Sequence, residues 1–511
     1  MTFEEVSPSY KDLIQKLKMV TQLRRAQAVV DYDRTVFMPQ ADECASERGA
    51  QLAALAEVIH EKATDAKVGL LIKEAMGDME KEVDVSRFVD ERKVLELSHK
   101  AFVKNERIST ELASRKAKLS SEAYATWTKA RAASDFSMFE PYLQNCFDVA
   151  MEVATAQRDD ESIPLYTQML DDYETGMAAE RIDDIFSEIK DALVPLISKV
   201  LQSSSPPSVD ALSGIFPVDK QQEMNEKIVT SIGFDKKYGR IDVSVHPFTT
   251  SFSPRDVRIT SRFSEKEWYQ GLAGSVHEAG HAMYEQNLGS SGLSIDSALS
   301  MGVHESQSLF WERHVGLSKP YWKFTQPIVQ EAFGDDFKYS SEELYGAVNA
   351  VSKSFIRVEA DELTYPLHVI LRYTIEKEVI KGNLKVKEVP ARWNSLMDEL
   401  LGVEVKDDAM GCLQDVHWSM LAFGYFPTYL LGAACAAQWA HFCKIDIPDF
   451  DEKVENGEFS EIKAWLVNKV HKHGSRYSSL DELLEAQVGE KLNPKYFIDY
   501  LTTKYTDLYK L

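Results

Sequence analysis

The sequence predicts a mainly α-helical protein, a single domain over residues 1–511 with a small antiparallel β element. Apolar residues recur at helical spacing along most of the chain, and only one short stretch alternates as a strand does. With 511 residues and 44% apolar content, the chain is long enough to bury a large core. We expect an N-terminal helical portion over about 1–205 and a second portion, over about 206–511, that holds the candidate site.

The N-terminal portion shows a succession of amphipathic helical patterns. One runs from 10 to 30, and after an interruption at Pro39 the pattern resumes over 43–63. Helical patterns rich in Glu and Lys, which we expect to face solvent, continue to about Asp160. The segment 203–208, SSSPPS, predicts a loop that is either a domain hinge or an ordinary surface connection.

The β element is predicted in the second portion of the chain. Residues 241–245 and 257–261 alternate apolar and polar side chains, and a turn containing Pro254 separates them. This pattern predicts a hairpin-like antiparallel pair of strands.

The segment Ser264–Gly289 predicts a helix and carries the sequence HEAGH. Ser264 followed by Glu267 has the pattern of a capping box, and Gly289 suits a helix end. Apolar residues at helical spacing supply a face to bury, namely Trp268, Leu272, Val276, Ala279 and Met283.

Two histidines of this helix have the spacing of metal ligands. His277 and His281 would lie one turn apart on one face, which suits two ligands of a tetrahedral zinc ion. Glu278 is placed to take a proton from a zinc-activated water, the arrangement found in zinc peptidases. With 12 His and 81 acidic residues in the chain, chance would give roughly 0.04 such motifs. The motif therefore favours a metal site over two solvated histidines.

A catalytic zinc ion needs a third protein ligand and one open position. The longer motif that would supply a third histidine is absent, because Asn287 stands at its position. Glu305 follows His281 by 24 residues, enough for an antiparallel helix to bring it back. Glu285 on the same helix and Glu312 are the rival carboxylates.

Composition excludes some classes of partner. The formal net charge of −23 argues against nucleic acid and anionic membranes. Five sparse cysteines without a C-x-x-C pair indicate a reduced, cytoplasmic protein, and the first residues lack the pattern of a secretory signal. The uncharged segment 416–443 is long enough to span a bilayer, but Gly424 and Pro427 interrupt it. We therefore predict a buried segment there and no membrane span.

Ordered motifs over nearly the whole chain resemble those of the carboxypeptidase Taq family of zinc metallocarboxypeptidases. They are HEAGHAMYEQ (277–286), HESQS (304–308), IRVEADELTYPLH (356–368), GCLQDVHW (411–418) and GYFPTYLLG (424–432), together with HPF (246–248) and DVRIT (256–260). The chain departs from the family pattern at Tyr32, where many relatives have Trp, at Leu309, where an Arg often follows HESQS, and at 420–422, where small residues are usual. These departures bear on substrate preference and leave the metal-binding motifs intact.

The resemblance implies His277, His281 and Glu305 as ligands of Zn²⁺ and Glu278 as general base. It also implies a largely helical fold with a deep active-site groove, a homodimer, and removal of single residues from peptides with a free C-terminus. Co²⁺ is expected to substitute, since imidazole and carboxylate ligands accept both metals. The alternatives are a zinc oligoendopeptidase on a similar helical scaffold and a non-catalytic peptide-binding scaffold.

Three further residues are candidates for contacting the substrate. His417 and Tyr425 could donate to the oxyanion that forms when water attacks the peptide carbonyl, unless they are a satisfied core pair. His246, at the end of the predicted strand, could bind the substrate backbone, because Pro247 would keep that strand at a sheet edge. The alternative is a structural histidine held by its neighbours.

An exopeptidase must bind a free carboxylate, for which arginine is the natural bidentate partner. Arg357 is the first candidate for this role and Arg258 the second. Either is instead structural if an acid such as Asp361 or Asp256 pairs with it. Asp415, close to a candidate histidine in sequence, is predicted to orient a histidine.

Overall fold

The computed structural model describes residues 2–82 and 84–511 and is mainly α-helical, as predicted. The helices before the sheet are α1 (Phe3–Val6), α2 (Pro8–Val36), α3 (Asp42–Ala63), α4 (Ala66–Glu80), α5 (Val89–Glu106), α6 (Thr110–Ala133), α7 (Phe136–Gln157), α8 (Leu165–Leu170), α9 (Ala179–Leu201) and α10 (Val218–Ser231). The strands are β1 (Gly239–Val243), β2 (Thr249–Ser253) and β3 (Asp256–Ser261). The helices after the sheet are α11 (Trp268–Gln286), α12 (Met301–Leu309), α13 (Lys319–Phe333), α14 (Ser341–Val348), α15 (Tyr365–Ile380), α16 (Val389–Leu401), α17 (Pro427–Asp446), α18 (Phe450–Asn456), α19 (Ser460–Lys469), α20 (Leu480–Val488) and α21 (Lys495–Tyr509).

Most buried apolar side chains of the described residues belong to one of two clusters. The smaller one joins α1, α2, α4 and α5, and it also includes Ile295 from the second portion. The larger one extends from Leu112 to Tyr509 and therefore includes α6 to α9. The change from one cluster to the other does not fall near residue 205, where the sequence predicted the division between portions. The prediction of a single domain stays a prediction.

The sheet differs from the predicted hairpin. Its order is β1-β3-β2, with β1 parallel to β3 and β2 antiparallel to β3. The two predicted strands do pair, with Ile241 opposite Ile259, but they run in the same direction. The chain reverses direction twice between them, because β2 lies between β1 and β3 in the sequence. The β2 sequence TTSFS was not recognised as a strand because it has one large apolar residue, too few to show an alternation.

Helix α11 begins later than the capping-box pattern predicted. Ser264 lies in a turn four residues before the helix, where its hydroxyl accepts from Lys266 N. Glu267 is the residue before the first helical one, and its side chain makes no capping hydrogen bond. The capping-box prediction is therefore wrong, because the Ser264 turn closes before the helix starts.

The uncharged segment 416–443 forms a short 3₁₀ helix, His417–Met420, a turn, and most of α17. Helix α17 is buried along nearly its whole length, as predicted. Across the parts of the chain that the structure describes, no helix combines the length and the apolar character needed to cross a bilayer.

Candidate metal centre and active site

The candidate metal centre lies where α11 and α12 meet. Within residues 2–82 and 84–511, one group of potential ligands converges, His277, His281 and Glu305, with ligand atoms all within 4.8 Å of one another. Glu305 Oε2 is 3.3 Å from His281 Nε2 and 3.9 Å from His277 Nε2. Atoms bonded to a tetrahedral zinc ion at about 2.0–2.1 Å lie about 3.3 Å apart. The separation of Glu305 and His281 equals this value, whereas Glu305 and His277 are farther apart and would have to approach each other to hold the same ion.

Two glycines allow α12 to approach its neighbours this closely. A Cβ atom at Gly280 on α11 would lie 2.6 Å from Cα of Ser308 and 2.7 Å from the carbonyl oxygen of Gln307. A Cβ atom at Gly432 on α17 would lie 2.8 Å from Cβ and Cγ of Glu305. All of these distances are well below van der Waals contact. The position of Glu305 therefore depends on glycine in both neighbouring helices.

The second ring nitrogen of each histidine has a partner that leaves Nε2 free. His277 Nδ1 is 2.7 Å from Glu312 Oε2, and His281 Nδ1 is 3.1 Å from the carbonyl oxygen of His304. A hydrogen bond donated from Nδ1 fixes the neutral tautomer with its lone pair on Nε2. In the neutral form of each ring, Nε2 therefore faces away from these partners and can act as a ligand.

The rival carboxylates take other positions. Glu312 contacts His277, as described above. Glu285 Oε1 is 3.0 Å from His304 Nε2, and His304 Nδ1 is 2.6 Å from His281 Nδ1. Glu285 and Glu312 therefore lie behind the histidines, one on each side, whereas Glu305 lies between their Nε2 atoms.

The electrostatics of this centre also fit a cation. Burial lowers the pKa of His277, but three carboxylates raise it to about 10, namely Glu305, Glu312 and Glu278. Burial raises the pKa of Glu305, but His277 and His281 lower it to about 2. Three carboxylates beside two histidines provide negative charge that a divalent cation would neutralise.

Glu278 is held in place by the sheet. The hydroxyl of Thr249, the first residue of β2, donates to Glu278 Oε2 at 2.6 Å. The same hydroxyl is 3.0 Å from the carbonyl oxygen of Glu278. Only 7% of Glu278 is exposed, so its carboxylate has a fixed orientation beside the two histidines.

The structure brings His417 and Tyr425 together. Their ring centroids are 5.4 Å apart, and His417 Nε2 lies 3.2 Å from the hydroxyl of Tyr429. Burial lowers the pKa of His417 to about 4, so the imidazole is neutral at physiological pH. Burial and the charge of Glu305 raise the pKa of Tyr425 to about 12, so its phenol keeps its proton and lies within electrostatic range of the metal centre.

A buried glutamate on α15 holds the loop between these two residues. Glu376 accepts hydrogen bonds from Trp418 Nε1 at 2.8 Å and from Gly424 N at 2.9 Å. Burial raises its pKa to about 7. Trp418 directly follows His417 and Gly424 directly precedes Tyr425, so Glu376 anchors both ends of the intervening loop.

His246 lies in the bend between β1 and β2, three residues beyond the end of β1. The prediction that it ends a strand is therefore wrong, because β1 stops at Val243. Its side chain is exposed and makes no hydrogen bond to the described residues, whereas its carbonyl oxygen accepts from Ser244 Oγ at 2.6 Å. Pro247 packs near Gly274 of α11, one turn before Glu278.

Arg357 is buried and paired with an acid that the sequence did not indicate. Its Nε and Nη2 donate to Asp415 Oδ1 at 3.1 and 2.9 Å, and its Nη1 donates to the hydroxyl of Tyr365 at 2.9 Å. Asp415 Oδ2 accepts in addition from Arg372. Asp415 therefore orients two arginines, and the prediction that it orients a histidine is wrong. Asp361, the expected acid, instead accepts backbone hydrogen bonds.

Arg258 on β3 also has its guanidinium occupied. Its Nε and Nη2 donate to the two carboxylate oxygens of Asp256, each at 2.9 Å. The guanidinium also lies over the rings of Tyr32 and Phe252, at 5.2 and 4.8 Å from their centroids. This is the structural pairing that the sequence left open as an alternative.

Several residues in or near the candidate site were not found by sequence reasoning. Gly280 was inside a recognised motif without a role, and Thr249 and Glu376 lie on elements distant in sequence from the residues they hold. Arg313 lies on the π-helical segment Phe310–Gly316 that continues α12, and nothing in its local pattern distinguishes it.

Comparison with known proteins covers nearly the whole chain. The family model for carboxypeptidase Taq (M32) metallopeptidases matches residues 12–505. Carboxypeptidase 1 of Bacillus subtilis is 38% identical over 510 residues, which is 99% of this chain and 100% of the relative. Thermostable carboxypeptidase 1 of Thermus thermophilus is 34% identical over 511 residues, 98% of this chain and 99% of the relative.

Solved structures agree. The crystal structure of the M32 carboxypeptidase from Deinococcus radiodurans has a TM-score of 0.94 at 32% identity and covers 99% of this chain and 100% of its own. Metallocarboxypeptidase 1 of Trypanosoma cruzi has a TM-score of 0.92 at 34% identity and covers 98% of this chain and 99% of its own. The chain therefore belongs to the carboxypeptidase Taq family of metallopeptidases, which makes it a metal-dependent carboxypeptidase.

Proposed function

We propose that the protein is a zinc metallocarboxypeptidase that hydrolyses the C-terminal peptide bond of peptides. His277, His281 and Glu305 would hold Zn²⁺, and Glu278 would be the general base. The observation that carries this proposal is the convergence of the three ligand atoms within 4.8 Å of one another, beside a carboxylate that Thr249 orients. Co²⁺ is proposed as a substitute, because the same ligand types accept it.

Glu278 would move the proton during hydrolysis. When bound, zinc would polarise the scissile carbonyl and make a water molecule more acidic. Glu278 Oε2 already accepts from Thr249, so Oε1 would take the water proton and deliver it to the leaving amine nitrogen.

His417 and Tyr425 would donate hydrogen bonds to the carbonyl oxygen as it gains negative charge. Two observations support this role. His417 Nδ1 is buried and has no hydrogen-bond partner among the described residues, and Tyr425 keeps its proton because its pKa is about 12. His246, exposed beside α11, is proposed to contact the peptide backbone.

The test is digestion of N-blocked peptides that carry either a free or an amidated C-terminus, followed by mass spectrometry. The zinc-loaded protein should release the last residue of the free acid alone, and a chelator should abolish the release. Adding Zn²⁺ or Co²⁺ should restore it. Equal cleavage of the amidated peptide would contradict exopeptidase action, and internal fragments would favour the oligoendopeptidase alternative.

Glu278→Gln separates an enzyme from a peptide-binding scaffold. We expect turnover to fall by about 10²–10⁴-fold while zinc content and fold persist, because Glu278 is not among the ligands. The matched control is Glu331→Gln, which removes an exposed carboxylate on α13 paired with Lys227. Unchanged turnover in Glu278→Gln would remove this residue from the mechanism.

A homodimer is proposed on the resemblance alone. Light scattering coupled to size-exclusion chromatography tests it, with a mass near twice the 57.9 kDa of one chain as the expected result. The cytoplasmic location and the deep groove stay predictions.

A further inference from the structure

The guanidinium of Arg313 is buried and has no hydrogen-bond partner among residues 2–82 and 84–511. The residue is 6% exposed, and its Nε and Nη1 are buried without any acceptor. Its guanidinium carbon lies 5.2 Å from the ring centroid of Tyr365. A buried charge that lacks hydrogen bonds destabilises a protein. An acceptor supplied by a ligand would satisfy these donors.

The carboxylates near Arg313 are engaged elsewhere. Burial lowers the pKa of Arg313, but three neighbouring carboxylates outweigh it and raise that pKa, namely Glu312, Glu362 and Glu305. Glu312 faces His277, and Glu305 faces both candidate metal-binding histidines. Glu362 pairs with Lys504 and also accepts from two tyrosine hydroxyls. The part of the chain that the structure describes therefore supplies charge compensation at a distance but no hydrogen-bond acceptor for the guanidinium.

Two other arginines, which also carry excess positive charge, lie close to the same tyrosine. Arg357 and Arg372 share one carboxylate, that of Asp415. The guanidinium carbon of Arg357 is 5.7 Å from the ring centroid of Tyr365. The Tyr365 hydroxyl accepts from Arg357 Nη1, so its own proton remains available to another acceptor. Arg313 and Arg357 thus bring two positive charges to one tyrosine, whose hydroxyl still has a proton to donate, a combination suited to one anionic group.

We propose that Arg313 binds the C-terminal carboxylate of the peptide, with Tyr365 as a second donor. The inference rests on the proposed function and names the residue that recognises the free C-terminus. Arg313 suits the role because its fork is unoccupied, whereas the forks of Arg357 and Arg258 are held by Asp415 and Asp256. Its position eight residues after Glu305, on the segment that continues α12, places it beside the metal centre.

The test compares Arg313→Gln and Arg313→Lys with wild type. For an N-blocked dipeptide with a free C-terminus, kcat/KM should fall by about 10–100-fold in Arg313→Gln, mainly through KM. Arg313→Lys should lose less, because it keeps the charge without the bidentate fork. The control is Arg115→Gln, which removes an exposed arginine on α6 that pairs with Glu152. It should behave as wild type.

Binding provides a readout that does not require turnover. Calorimetry should show that wild type binds N-acetyl-phenylalanine more tightly than its amide, and that Arg313→Gln loses this preference. A folding defect would weaken binding of acid and amide alike. If Arg313→Gln does not fold, the preference for acid over amide is compared between wild type and Arg313→Lys. A partial loss of this preference in Arg313→Lys supports the inference, and an unchanged preference contradicts it.

Three results would overturn the inference. In the first, the protein releases C-terminal residues but Arg313→Gln keeps the wild-type preference for acid over amide, which leaves the proposed function standing. In the second, the loss is confined to peptides that end in Asp or Glu, which assigns Arg313 to the side chain of the last residue. In the third, wild type releases no C-terminal residue and binds acid and amide equally, so that the proposed function fails as well.

Discussion

Gly280→Ala tests whether the close packing of α11 on α12 creates the candidate metal centre. The added Cβ would lie 2.6 Å from Ser308 Cα, whereas non-bonded carbon atoms prefer about 3.5–4.0 Å. The obstructing atoms belong to the backbone, so α12 must move by about 1 Å. Glu305 lies one turn before Ser308 and would move with it, although zinc–ligand distances tolerate only about 0.2 Å.

We expect two measurable losses in this variant. Overpacking should lower the free energy of unfolding of the metal-free protein by about 1–3 kcal/mol, measured by denaturant titration. Displacement of Glu305 should weaken zinc binding by about 10–100-fold, the size of effect seen when ligand orientation is disturbed. Competition with a chelator of known affinity measures the second quantity.

Gly77→Ala is the matched control. Gly77 lies on α4, and nothing lies within 4 Å of the position its Cβ would take. Alanine in an open helical position should stabilise the protein by about 0.4–1 kcal/mol and leave zinc affinity unchanged. Wild-type stability together with wild-type zinc affinity in Gly280→Ala would refute the packing explanation.

Three further changes have defined outcomes. Gly432→Ala should weaken zinc binding in the same chelator competition, because its Cβ would meet Cβ and Cγ of Glu305 at 2.8 Å. The loss of stability should be smaller than in Gly280→Ala, because the nearest backbone atom, the carbonyl oxygen of Gly302, lies 3.2 Å away. Glu312→Ala removes the partner of His277 Nδ1 and should weaken zinc binding by about 10–100-fold in that assay. His417→Gln should alter the pH dependence of urea unfolding. Burial lowers the pKa of His417 from 6.5 to about 4, so wild-type stability from this group is complete above pH 6.5 and is lost as pH falls towards 4. Identical pH profiles for variant and wild type would contradict its burial as the neutral form.

The sequence was sufficient to predict that the two histidines of the candidate metal centre share one face of α11, because this information is local. Residues four apart share a helical face whatever the rest of the chain does, and His277 and His281 do so. Local sequence could not decide which carboxylate, Glu305, Glu285 or Glu312, lies between the two histidines. The choice depends on the packing of α12 between α11 and α17, which Gly280 and Gly432 permit.

The direction of the strands in the sheet, in contrast, could not be predicted from local sequence. Alternation correctly located β1 and β3, but direction depends on what lies between two strands. The sequence TTSFS of β2 gave no alternating signal, so the pair appeared to be a hairpin when it is parallel. The consequence extends to the active site, because β2 begins with Thr249, the residue that orients Glu278.

Charge pairing explains why the arginine that could bind a carboxylate was difficult to identify from sequence. Arg258 and Asp256 are two residues apart on one strand, so they share a face and their pairing was readable. Asp415 is 58 residues from Arg357, and its second partner, Arg372, is on another element. Pairing at that distance depends on the fold as a whole. The fold therefore decides whether an arginine is available to a substrate, because it brings acids to some arginines and not to others. Arg313 has buried donors without an acceptor.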